Sequence, residues 1–130
     1  MTQVSHIIRE SVLSGDLRWA DRHLADDGVF EFPVAAPGRP KRYEGKAAFL
    51  AMAGPARAAL PFTFDTCEIH AVHRTADPEV VIVEYEVGGR VAGAHRTSSI
   101  IAVLRVRDGK VVHWREYQDT FAILQAVAQP

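Results

Sequence analysis

The side chain in this sequence best placed to move a proton is Glu116. Along Lys110 to Gln118, alternation sets Val112, Trp114, Glu116 and Gln118 on one strand face, and His113, Arg115, Tyr117 and Asp119 on the other. If Trp114, Phe30 and Phe32 enclose the first face, the Glu116 carboxylate loses its water. Its charged form is then disfavoured and its pKa rises, the condition for a general acid or base near neutral pH. The plainer role for Glu116 is an ion pair with an arginine or a hydrogen bond from a tyrosine. Tyr85 is the second candidate. It shares the parity of Val81, Val83 and Val87, and its hydroxyl can orient a ligand or Glu116, or simply be satisfied by a neighbour.

Other chemistries find less support. The sequence has six histidines, but His70 and His73 lie three apart on an expected strand and so point to opposite faces, and one cysteine offers no thiolate pair. No metal site is expected. No Gly-rich nucleotide fingerprint occurs, and no cofactor is expected. Arg39, Lys41 and Arg42 form a small basic cluster in a Pro-rich loop, read as a solvated loop at a pocket mouth that could attract an anion. Glu84 and Glu86, opposite in parity to Tyr85, are read as a solvated or interfacial face.

The composition is that of one compact soluble domain and leaves an enzyme, a small-molecule binder or an interaction module. The chain has 130 residues, 48% hydrophobic and 24% charged, with a net charge of -1. That balance argues against nucleic acid, which calls for a basic face. A lone cysteine, Cys67, and a charged N-terminal stretch containing Arg9 and Glu10 favour a cytoplasmic protein. No run of about 18 apolar residues suggests a membrane span.

These side chains need a scaffold. Val4, Ile7, Ile8 and Val12 recur at helical spacing, and Gly15 is expected as a left-handed cap. Asp16 is expected to cap a second helix to about Leu24, with Trp19 beside its apolar stripe. Asp26, Asp27 and Gly28 read as a turn, Val29 to Val34 as a strand and Ala35 to Arg42 as a loop. A helix from Glu44 carries Phe49 and Met52; Gly54 and Pro55 should interrupt it and Pro61 end it. Four strands are expected, at about Phe62 to His73, Glu79 to Val87, Arg96 to Val106 and Lys110 to Gln118. Asp77-Pro78, Gly88-Gly89 and Asp108-Gly109 separate them. Asp119 or Thr120 should cap a last helix with Phe121, Leu124 and Val127 on one face.

Long strands need a cover, and the helices must supply it, which gives an α+β fold with a curved sheet wrapped on the N-terminal helices. Ile100 to Leu104 is apolar on both parities. A second subunit against Ile101 and Val103 would account for that, so a homodimer is expected.

The element order, the stretch Ala25-Asp26-Asp27-Gly28-Val29-Phe30-Glu31-Phe32-Pro33, the Tyr43-Glu44-Gly45 lead into the third helix and the hairpin from Asp108 to Tyr117 resemble the nuclear-transport-factor-2-like superfamily, within it the SnoaL-like, ketosteroid-isomerase-like branch. The resemblance covers essentially the whole chain. It implies a cone-shaped α+β barrel built on a curved antiparallel sheet, with a pocket between sheet and helices into which Glu116 faces, and usually a dimer. The same fold hosts many reactions and none, so chemistry does not follow from it.

Residue by residue, the steroid-isomerase machinery is missing. Its general base falls on Phe32, its oxyanion tyrosine on Ile8 and its protonated aspartate on Ala102, none of which can serve. The limonene-epoxide-hydrolase pattern keeps only Glu116, with Tyr85, Val87, Phe30 and Phe32 at its other positions. The phenazine-biosynthesis A/B proteins match best near the last strand, Arg115-Glu116-Tyr117 through Phe121 and Leu124, where their glutamate serves as acid and base.

The expected function is therefore cofactor-independent proton transfer (isomerisation, cyclisation or condensation) on a hydrophobic metabolite, with Glu116 as the catalytic acid/base. The expected pocket is lined by Trp19, Phe30, Phe32, Phe49, Met52, Phe64, Tyr85, Ile100, Ala102, Trp114 and Gln118. Two alternatives stay open: a non-catalytic binder of a small apolar ligand, and a dimeric interaction module whose cavity is filled.

Overall fold

The computed structural model describes residues 2–120 and residue 125. The element order is α1 (Gln3–Leu13), α2 (Arg18–His23), β1 (Leu24–Glu31), β2 (Arg42–Glu44), α3 (Lys46–Ala58), β3 (Phe64–Arg74), β4 (Val80–Val91), β5 (Ala94–Arg107) and β6 (Lys110–Gln118). The expected final helix, with Phe121, Leu124 and Val127, lies outside the described residues.

Helix α1 begins where Thr2 accepts a hydrogen bond from the Ser5 N–H at 3.1 Å, and it buries Val4, Ile7, Ile8 and Val12 on one stripe. It ends at Ser14 in extended backbone, so Gly15 is not the left-handed cap expected. The residue at the start of α2 is Leu17, which makes no side-chain cap, so Asp16 is not the cap expected; it accepts from the Arg18 N–H at 2.9 Å from one position further out. The helix stops at His23, because Leu24 already pairs with Val111 in the sheet.

The six strands run in the order β2-β1-β6-β5-β4-β3. The sheet is curved but open, with β2 and β3 as its edges, so the barrel implied by the resemblance is not closed. Nor is the sheet purely antiparallel: β1 pairs parallel to β6, and every other neighbouring pair is antiparallel. The connection from β1 to β6 spans the rest of the fold, so no hairpin constrains their direction. α1 packs on β3 and β4, and α3 on β1 and β2.

Several expected breaks are instead continuous elements. Asp26, Asp27 and Gly28 lie in β1, where a register shift between Leu24 and Val29 absorbs them as a bulge. Gly54 and Pro55 do not interrupt α3, since a proline there forfeits one backbone bond while Phe49 and Leu50 keep the helix packed on the core. Gly88-Gly89 is inside β4. A Cβ at Gly89 would collide with the Thr63 carbonyl, and one at Gly88 with the Thr66 side chain, so these glycines serve close backbone approach rather than a turn. The turn falls at Ala92 and Gly93, both at positive φ (51° and 82°), the pattern that Asp108 and Gly109 repeat as expected (51° and 77°).

Two parity expectations shift for the same reason. A register irregularity between Arg105 and Val106 buries Val111 rather than Val112. Another between Ile69 and Ala71 bulges His70, so His70 sits with Glu68 and Glu86 while His73 bonds Glu84 at 2.6 Å. His70 and His73 thus share the face of Glu84 and Glu86.

Candidate active site

Between the concave sheet face and the helices lies a cavity of about 630 Å³. Trp19 reaches it from α2, Phe30 from β1, and Phe32 from just beyond that strand. Helix α3 contributes Phe49, Met52 and Arg57. Phe64, Tyr85 and Ile100 come one each from β3, β4 and β5, and Trp114, Glu116 and Gln118 from β6. Ala102 does not line the cavity, contrary to expectation. It is fully buried between Val83 and Glu116, its cross-strand partners, and its methyl is too short to reach past them.

Aromatic contacts build the wall. Phe30 stacks on Phe49 with ring centres 4.2 Å apart, and Trp19 sits 6.1 Å from Trp114 and edge-on to Phe49 at 6.4 Å. Phe32 meets Tyr43 edge-on at 6.1 Å. These pairs tie α2 and α3 to β1 and β6.

Within this wall the Tyr85 hydroxyl donates to Glu116 Oε1 at 2.8 Å. The two residues stand on β4 and β6, with β5 between them. Tyr85 pairs with Ile100, and Glu116 with Ala102, so the bond runs diagonally across β5 and the small Ala102 leaves room for it. Glu116 retains some accessible surface, but that surface opens on the cavity. Its carboxyl group lies deep in the fold, and burial pushes its pKa up against the opposing hydrogen bonds from Tyr85 and the Trp114 indole. Burial, and then the Glu116 charge, raise the Tyr85 phenol well above its ordinary value, so the phenol stays protonated and donates.

Three cavity features escaped the sequence reading. Arg57 donates from Nη1 to the Ser11 carbonyl at 2.8 Å and from Nη2 to that of Val12, with its guanidinium 5.2 Å from the Phe64 ring centre. It has no carboxylate partner among the described residues. Trp19 Nε1 and Ser98 Oγ are buried in cavity-lining residues without a hydrogen-bond partner among the described residues. Nothing in the periodicity marks them, because each depends on what other elements fail to supply. By contrast, Arg39, Lys41 and Arg42 stay off the cavity on exposed backbone, and Arg42 is engaged by Glu44 at 3.0 Å and Glu31 at 3.6 Å.

Potential metal ligands gather elsewhere. His6, Glu10 and His23, and separately Glu68, His70 and Glu86, each bring three candidate ligand atoms within 4.8 Å of one another. None of the six lines the cavity, and Glu10 is already held by Arg22 at 2.5 Å.

Compared with known families, residues 7–114 match the SnoaL-like domain. The chain belongs to that family. Among similar proteins, an uncharacterised protein of Bacillus subtilis (strain 168), YesE, is 35% identical over 103 residues, spanning 78% of this chain and 69% of its own. An uncharacterised PhzA/B-like protein of Pseudomonas aeruginosa is 32% identical over 117 residues, covering 88% and 80% of the two chains. A crystal structure of a Bacillus subtilis protein provisionally assigned as an isomerase superposes with a TM-score of 0.81 at 28% identity, over 97% of this chain and 95% of that one. A Xanthomonas campestris protein with a cystatin-like fold superposes with a TM-score of 0.72 at 17% identity over 100% of both chains, a likeness of fold alone.

Proposed function

We propose that this SnoaL-like protein catalyses cofactor-independent proton transfer, as in isomerisation, cyclisation or condensation, on a hydrophobic metabolite held in the cavity. The observation that carries the reading is the Glu116 carboxyl group, the one carboxyl lining the cavity among the described residues, set in an aromatic wall and held by the Tyr85 hydroxyl at 2.8 Å. As carboxylate, Glu116 takes a proton from a carbon next to a carbonyl and returns it to another atom of the same molecule, leaving no net oxidation or reduction. Tyr85 orients the carboxylate. The unpartnered Trp19 N–H is the donor offered to the oxygen on which charge develops. Provisional assignment of a Bacillus subtilis relative as an isomerase, and the PhzA/B-like character of another, support this class of chemistry.

The apolar outer face supports a homodimer. Ile101 is 42% exposed and Tyr117, its cross-strand partner, 39%. A second copy would cover them. Cys67, buried and free, suits the reducing cytoplasm.

Hydrogen–deuterium exchange next to the carbonyl of small cyclic ketones such as 2-tetralone, followed by NMR in D₂O, tests the catalytic reading. The protein should accelerate exchange over buffer, and Glu116→Gln should abolish the acceleration. Equal exchange with both proteins favours the non-catalytic binder, in which Glu116 is only a hydrogen-bond anchor.

A further inference from the structure

Arg57 places a cation in a wall that is otherwise largely aromatic and aliphatic. Two of its donors cap the last carbonyls of α1, and the remaining guanidinium N–H groups have no partner among the described residues. Ser98 lies on the inward parity of β5 with Ile100, and its buried hydroxyl is equally unpartnered. The register shows how far these groups stand from the carboxyl. Arg57 lies over Phe64, which pairs with Gly89, four residues along β4 from Tyr85, or about 13 Å at strand rise. Ser98 pairs with Val87, midway between the two ends. His95 and Arg96 line the same wall, His95 held by Asp65 at 3.0 Å.

We propose that the Arg57 end of the cavity binds the carboxylate head of an apolar ligand, with Ser98 donating a second hydrogen bond, while the ligand's other end reaches Glu116. This rests on the cavity being the ligand site and adds the substrate class, a hydrophobic carboxylic acid roughly as long as the span between the two ends. An arginine fits that task because its fork donates two parallel hydrogen bonds to a carboxylate. Partial burial lowers the Arg57 pKa from its ordinary value, a cost that a bound anion would offset.

The test uses a matched pair, 4-biphenylacetic acid and its neutral amide, titrated into the full chain by calorimetry. Wild type should prefer the acid at least tenfold. Arg57→Met should bring the two affinities within about twofold with amide binding unchanged, and Ser98→Ala should weaken the acid alone by several-fold. Ser98→Ala spares the α1 contact, so it decides the matter if Arg57→Met fails to fold. Equal affinities in wild type, or equal loss of both ligands in Arg57→Met, would make Arg57 a helix cap only and overturn the inference while leaving the catalytic reading intact. Binding of neither ligand overturns the inference together with the cavity reading beneath it.

Discussion

The Tyr85 hydroxyl on β4 reaches over β5 to donate to Glu116 on β6 at 2.8 Å, joining two strands that share no backbone hydrogen bonds. The bond favours the charged carboxylate, whereas the surrounding burial favours the neutral acid, and burial is the larger effect.

Removing the donor separates the two effects. Tyr85→Phe deletes an interaction made to the charged form, so the Glu116 pKa should rise above its wild-type value. Leaving the buried carboxyl one partner short should also cost about 1–3 kcal/mol of stability. NMR titration of both proteins checks the direction; a fall in the Glu116 midpoint would show that the hydroxyl does not serve the carboxylate.

A second, opposite case is Glu10, which the Arg22 guanidinium and then His23 hold well below the usual carboxylate range, to about 2. A carboxylate with a depressed folded-state pKa contributes stability above its unfolded value, and this is lost as pH falls through the folded one. Glu10→Gln should therefore lower the unfolding midpoint at pH 6, with the gap to wild type closing between about pH 4.5 and 2. Because Arg22 is largely exposed, the effect at pH 6 should stay below about 1 kcal/mol. A gap that persists unchanged at pH 2 would mean that Glu10 acts through packing rather than charge.

The outer face gives the third prediction. If Ile101 and Tyr117 are covered by a second copy, wild type sediments as a dimer and Ile101→Arg shifts it to monomer at micromolar concentration without changing its circular dichroism. A monomeric wild type would show that the apolar outer parity of β5 is simply exposed.

How legible all this was varies with how local the cause is. The stripe Val4, Ile7, Ile8, Val12 and the hairpin at Asp108-Gly109 follow from contacts a few residues apart, and both stand as expected. Gly88-Gly89 misled because a glycine needed for close approach to Thr63 and Thr66 looks, in sequence, like one needed for a turn. The bulges at His70 and near Val112 flipped parities that strict alternation assigns, and a bulge has no signature until its partner strand is known. In β6 the alternation from Trp114 to Gln118 ran unbroken, so Glu116 faces inward as read. Ala102 was expected at the pocket on alignment, which carries position but not side-chain length. Arg57 went unread because its interest lies in having no carboxylate partner among the described residues, a property of its three-dimensional neighbours.

The most direct test of the central claim is the pKa of Glu116 itself, measured by NMR titration of wild type with Glu116→Gln to assign the signal. A carboxyl whose folded-state pKa is raised stays protonated where the unfolded chain has ionised, so it costs stability as pH climbs from the unfolded value through the folded one. That cost is about 1.4 kcal/mol for every tenfold gain in proton affinity on folding. The account predicts a midpoint clearly above the ordinary glutamate value of about 4.3, and a stability of Glu116→Gln relative to wild type that rises from that value up to the measured midpoint and is level above it. A midpoint at or below that value, with no such pH trend, would mean a solvated carboxylate and would contradict acid/base catalysis at this site.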